Sequence, residues 1–83
     1  MFTVEWARKA IRQLKRFDRQ HQKQIVVAVR SLKNWPNCEH VKFLKDRAGY
    51  RLRVGRYRVF FEVEKSLRII MIEEVKKRDE RTY

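Results

Sequence analysis

Residues Tyr50 to Phe61, YRLRVGRYRVFF, restrict the fold of this chain more than any other segment. Arg51 and Arg53 precede Gly55, Arg56 and Arg58 come after it, and apolar or aromatic residues fill most positions between them. Such alternation marks a half-buried strand, because successive side chains of a strand point to opposite faces. Gly55 divides the segment into two strands, so a β-hairpin is expected. Tyr50, Leu52 and Val54 then face a core, as do Tyr57, Val59 and Phe61 across the turn. Arg51, Arg53, Arg56 and Arg58 are left on the other side, and Phe60 shares the side of Arg56 and Arg58. Four guanidiniums on a rigid two-stranded element make a phosphate-binding surface, since the planar fork donates two parallel hydrogen bonds to such an anion.

The rest of the chain supplies something for that hairpin to pack on. Phe2, Val4 and Trp6 alternate with Thr3 and Glu5, which predicts a short first strand. From Ala7 the period changes: Ala10, Ile11, Leu14 and Phe17 lie at helical spacing. Asp18 is placed to cap a second helix with Ile25, Ala28, Val29 and Leu32 as its stripe, closed by Asn34 and Pro36. Val41 to Leu44 reads as a short strand, Lys45 to Gly49 as a turn, and Glu64 to Ser66 as another. Leu67 to Ile72, LRIIMI, is nearly continuous apolar sequence and predicts a central strand buried on both faces. The charged tail Glu73 to Tyr83 is expected to form a short helical turn or an extended arm. The order β-α-α-β-β-β-β is an α+β fold: an N-terminal strand, an antiparallel helix hairpin, then a mainly antiparallel sheet of about four further strands. The helices cover one face and the arginines occupy the other. The 83 residues suit one domain, 1–83.

Charge narrows the partners. The net charge is +12, which strains a compact state by self-repulsion and favours a polyanion. Nucleic acid comes first, because phosphate neutralisation releases counterions; an anionic membrane surface and an acidic protein come next. Cys38 is a single cysteine, so no intrachain disulfide forms, which fits a reducing cytoplasm. No stretch approaches membrane-span length, so no membrane association and a cytoplasmic location are expected. His21, His40 and Cys38 lack metal-ligand spacing, and no metal or other cofactor is expected. Ser31 and Ser66 lack a glycine elbow.

The chemistry left is that of RNA or DNA. Tyr50, Tyr57, Phe60 and Tyr83 are candidates for stacking bases. Arg58 is the candidate for stabilising the phosphorane formed when RNA is cleaved through its own 2′-OH. Lys76, Lys77, Arg78 and Arg81 add positive charge, and Lys77 is the candidate proton donor to the leaving 5′ oxygen.

These residues resemble the RelE/ParE superfamily of bacterial type II toxins over nearly the whole chain. The resemblance rests on the helix hairpin, the pair Leu44–Lys45, the stretch GYRLRVGRYRVFFEV, the apolar strand and the ending KKRDERTY. In the RelE branch it implies a microbial-ribonuclease-like fold and metal-independent cleavage of mRNA in the ribosomal A site. The family's basic strand positions fall on Arg51 and Arg53, the hairpin arginine on Arg58, a distal basic residue on Lys77 and the terminal tyrosine on Tyr83. Lys45, Arg56, Phe60, Lys76, Arg78 and Arg81 are then expected to bind RNA. Arg53 stands where a relative has a lysine assigned as general base. Arginine stays protonated, so its role here is electrostatic, and the base is Tyr83, Lys77 or a ribosomal group. The ParE branch shares the hairpin consensus and implies DNA gyrase inhibition without an RNase site; a non-catalytic RNA-binding domain is a third reading. The resemblance also implies an acidic cognate antitoxin, and operator DNA bound through the toxin–antitoxin complex.

Overall fold

A computed structural model describes residues 1–78 of the chain. Its elements are β1 (Thr3–Trp6), α1 (Arg8–Leu14), α2 (Arg19–Arg30), a 3-10 turn (Ser31–Asn34), β2 (Val41–Phe43), β3 (Tyr50–Val54), β4 (Tyr57–Glu64) and β5 (Ile69–Lys77). The five strands form one sheet in the order β1-β5-β4-β3-β2. β1 runs parallel to β5, and the other neighbours are antiparallel. The expected α+β order therefore holds. No helix among the described residues is long and apolar enough to cross a membrane.

The helix pair and one sheet face make the core. Ala10, Ile25, Val29 and Leu32 meet Leu52, Val59, Phe61, Ile70, Ile72 and Val75, all nearly or fully buried. Trp35 closes one end, edge-on to Tyr50 and Phe61 with ring centroids 4.7 and 5.6 Å away. β1 ends at Trp6, opposite Ile72, so β5 runs on beyond its neighbour. There α1 takes over: the Gln13 side-chain oxygen accepts the Val75 N–H at 2.7 Å, satisfying a backbone donor that no strand reaches.

Five local expectations are corrected. β5 starts at Ile69 rather than Leu67, which is exposed, and continues through Lys77. The first part of the tail is therefore extended strand rather than a helical turn, because it pairs with β4 through Lys77. Ile70 and Ile72 are buried but Ile69 and Met71 only partly, so this strand is not covered on both faces: both helices lie on one side. α1 stops at Leu14, short of Phe17, and Asp18 sits at the start of α2 without a capping hydrogen bond. Gln22 instead donates to the Phe17 carbonyl at 2.8 Å.

β5 also carries a bulge. Phe61 pairs with Ile72 but Phe60 with Glu74, leaving Glu73 as the extra residue. The bulge returns Val75 to the core beside Val59 and turns Glu74 to the arginine face. The apolar spacing carries its trace: 70, 72, then 75 rather than 74.

Both glycines sit at left-handed backbone. Gly55 (φ +55°) opens the two-residue turn between Val54 and Tyr57, with positive φ at its first position only, as in a type II′ hairpin. Gly49 (φ +95°) is more constrained, because a Cβ there would be driven into the Phe61 carbonyl oxygen. Gly49→Ala is expected to cost about 3 kcal/mol, combining backbone strain with a clash against a rigid strand. Gly55→Ala, with open space around it, costs about 1–2 kcal/mol. Urea midpoints at unchanged slope check both.

Candidate nucleic-acid interface

The sheet face away from the helices carries two cross-strand rows. Arg53, Arg58 and Lys76 lie in register on β3, β4 and β5. Lys42, Arg51, Phe60 and Glu74 lie in register on β2 through β5. Adjacent strands are about 4.8 Å apart, so the first row sets three cations side by side with no carboxylate in the row. Like charges directly opposite one another destabilise a sheet. Arg53 and Arg58 make no ion pair among the described residues. This row concentrates positive charge on one face of the sheet.

Glu74 is the counterweight. It is only 8% exposed, yet its carboxylate meets Lys9 at 2.9 Å, Arg47 at 3.1 Å and Lys76 at 3.8 Å. The hydrogen bond from Lys9 holds its carboxyl below the usual range; burial opposes this, and Arg47 and Lys76 add to it. A lowered folded-state pKa means the carboxylate stabilises the fold above the unfolded value of about 4.3, and this is lost as pH falls through the folded value. Glu74→Gln is therefore expected to be less stable than wild type at neutral pH, with the gap closing on acidification. Urea melts from about pH 6 down to about pH 2 would show two parallel curves if Glu74 were unimportant.

Arg47 was not singled out by its sequence context. It belongs to the connection between β2 and β3, and its guanidinium lies 4.4 Å over the Phe60 ring while bonding Glu74. The connection is closed by the Leu44 N–H donating to the Gly49 carbonyl at 3.1 Å. Beneath it lies a cleft of about 530 Å³ lined by Lys42, Lys45, Arg47, Arg51, Arg58 and Phe60, among others. Arg51 Nε is buried there without a hydrogen-bond partner among the described residues.

The fold separates the expected site residues. Arg51, Arg53, Arg58, Phe60, Lys45 and Lys76 come together on this face or its cleft. Lys77, expected beside Arg58, lies in register with Tyr57 and so on the helix-bearing side; the bulge gives Lys76 the place next to Arg58. Arg56 is in the hairpin turn, its carbonyl accepting the Arg78 N–H at 2.6 Å, and both side chains are exposed at the end of the sheet. Tyr57 belongs to the core and Tyr50 packs against it, so both rings lie on the face opposite the arginines. Tyr57 is 5% exposed, 4.6 Å from the Phe17 ring, with its hydroxyl 2.8 Å from His21 Nδ1. Arg81 and Tyr83 lie outside the described residues.

Comparison with known proteins agrees with this architecture. The family model described as the ParE toxin of the type II toxin–antitoxin system parDE matches residues 4–82. No curated protein matches the sequence. Among solved structures, the toxin–antitoxin complex RelBE2 of Mycobacterium tuberculosis is similar, with TM-score 0.81, 25% identity, and coverage of 93% of this chain and 98% of that one. The archaeal RelE–RelB complex of Pyrococcus horikoshii gives TM-score 0.80 at 23% identity, covering 98% of each chain. The isolated RelE toxin of E. coli gives 0.80 at 14% identity, covering 95% of this chain and 86% of that one.

Proposed function

Because the chain belongs to the ParE toxin family of type II toxin–antitoxin systems, we propose that it acts on a nucleic-acid process, and specifically that it cleaves mRNA in the ribosomal A site. The observation that carries this reading is the Arg53–Arg58–Lys76 row beside an aromatic side chain, Phe60, on one open sheet face. In the proposed reaction the 2′-oxygen attacks the adjacent phosphorus, a pentacoordinate phosphorane forms, and the bond to the 5′ oxygen breaks. Arg58, at the centre of the row, offsets the extra negative charge of the phosphorane. Arg51 and Arg53 hold the flanking phosphates, with Lys45, Arg56 and Arg78 as outer contacts. Lys76, the lysine in register with Arg58, supplies the proton to the leaving oxygen. Tyr83 is proposed to orient the scissile nucleotide, and the base that takes the 2′-OH proton comes from the tail or from the ribosome.

A second reading has its own support: the matching family model is that of ParE toxins, which favours inhibition of DNA gyrase. Expression in cells with parallel assays of mRNA integrity and plasmid supercoiling separates the two. New mRNA ends with normal supercoiling are expected; intact mRNA with lost supercoiling would establish the gyrase reading instead.

The proposed partner is an acidic antitoxin segment that covers the cationic face. Its support is the +12 net charge and the solved complexes of similar toxins with RelB antitoxins. Co-expression with the neighbouring gene product is expected to give a salt-sensitive complex that Arg53→Glu weakens at least tenfold, as a charge reversal in such an interface does.

A further inference from the structure

We propose that Arg47 is an exchangeable latch over a base-stacking subsite: in the free protein it covers Phe60 and is held by Glu74, and a base of single-stranded RNA displaces it from the ring. This rests on the reading of the cationic face as an RNA site. The guanidinium lies 4.4 Å over the Phe60 ring, so no base can stack there until it leaves. Phe60 is the aromatic of the two rows, in register between Arg51 and Glu74 and next along β4 to Val59 and the hairpin core. The adjoining cleft, about 530 Å³, accommodates a nucleotide once Arg47 moves.

The exchange is favourable on each side. The Arg47 side chain is 42% exposed, so its pair with Glu74 is screened by solvent and weak. A base stacked on an aromatic ring is a stronger contact than an exposed guanidinium on that ring. The released guanidinium gains a phosphate, which it binds through two parallel hydrogen bonds. Glu74 is not orphaned by the change, because Lys9 remains at 2.9 Å and Lys76 at 3.8 Å. The buried carboxylate thus acts as a parking place for Arg47. It lowers the idle charge of the cleft and is not itself required by the RNA.

The test uses the wild-type protein and a short 2′-O-methyl RNA, which binds without being cleaved. The Phe60 ring current shifts the Arg47 side-chain NMR signals, assigned with Arg47→Lys and cancelled in Phe60→Leu. On adding the oligonucleotide these signals are expected to return to ordinary arginine values, with new contacts from Phe60 ring protons to base protons. Phe60→Leu is expected to weaken binding about tenfold, the size of one lost stacking contact. Binding that is sensitive to Arg53→Glu but leaves the Arg47 signals shifted would overturn the latch alone. Absence of binding, or binding indifferent to Arg53→Glu, would overturn the RNA reading and the latch together.

Discussion

Arg58→Ala protein is expected to cleave mRNA on translating ribosomes about 10² to 10³ times more slowly than wild type, the usual loss when one preorganised donor to a developing anion is removed. Arg58 sits mid-sheet on β4, flanked in register by Arg53 and Lys76 and half-buried. That setting keeps its guanidinium close to one orientation and excludes part of the water that would screen it. Arg53 and Lys76 keep the groove cationic in the variant, so substrate binding should fall much less than the chemical step. Arg58 makes no ion pair among the described residues, and its truncation relieves like-charge repulsion. The variant should thus fold at least as well as wild type. Single-turnover rates at saturating ribosomes, beside thermal melts, separate these effects; a loss of rate accompanied by a loss of folding would not fit.

Phe61→Ala is expected to remove about 4 kcal/mol of stability, out of roughly 4–12 kcal/mol for a domain of this length. Phe61 is 1% exposed and sits between Trp35 and Tyr50, each 5.6 Å away between ring centroids. It is on the β4 strand that carries Arg58 on its other face, so its loss unfolds the site along with the core. Val27→Ala is the contrast. Val27 is 62% exposed on the outer side of α2, and its truncation should stay within about 0.5 kcal/mol. Urea unfolding at 25 °C distinguishes the two; equal costs would mean that the core has been wrongly placed.

The hairpin was legible because its two faces are chemically unlike: arginines at Arg51, Arg53 and Arg58 alternate with Leu52, Val59 and Phe61, and either one-residue slip would bury guanidiniums. Its turn was legible from Gly55, which the positive φ requires. The segment after Ile72 was not, because charged residues that pair at a sheet edge look like a solvated tail until the strand beside them is known. The bulge at Glu73 then decides which lysine stands next to Arg58, and the step from Ile72 to Val75 was its only trace. Arg47 was illegible for a different reason. Its contacts with Phe60 and Glu74 span 13 and 27 positions of chain, and a charged residue in a turn carries no periodicity. Tyr57 shows the limit of residue type alone: an aromatic in a basic hairpin suggested stacking on a base, whereas strand alternation, which the same hairpin displays, puts it under α2 with His21.

The most direct test of RNA cleavage on the cationic face is primer extension on a defined mRNA in a translating extract, with wild-type and Arg58→Ala proteins in parallel and gyrase supercoiling measured in matched samples. Discrete new 5′ ends within the translated region, present with wild type and lost with Arg58→Ala while supercoiling is unaffected, are the predicted result. Intact mRNA at protein concentrations that stop gyrase, or cleavage equal in the two proteins, would contradict it.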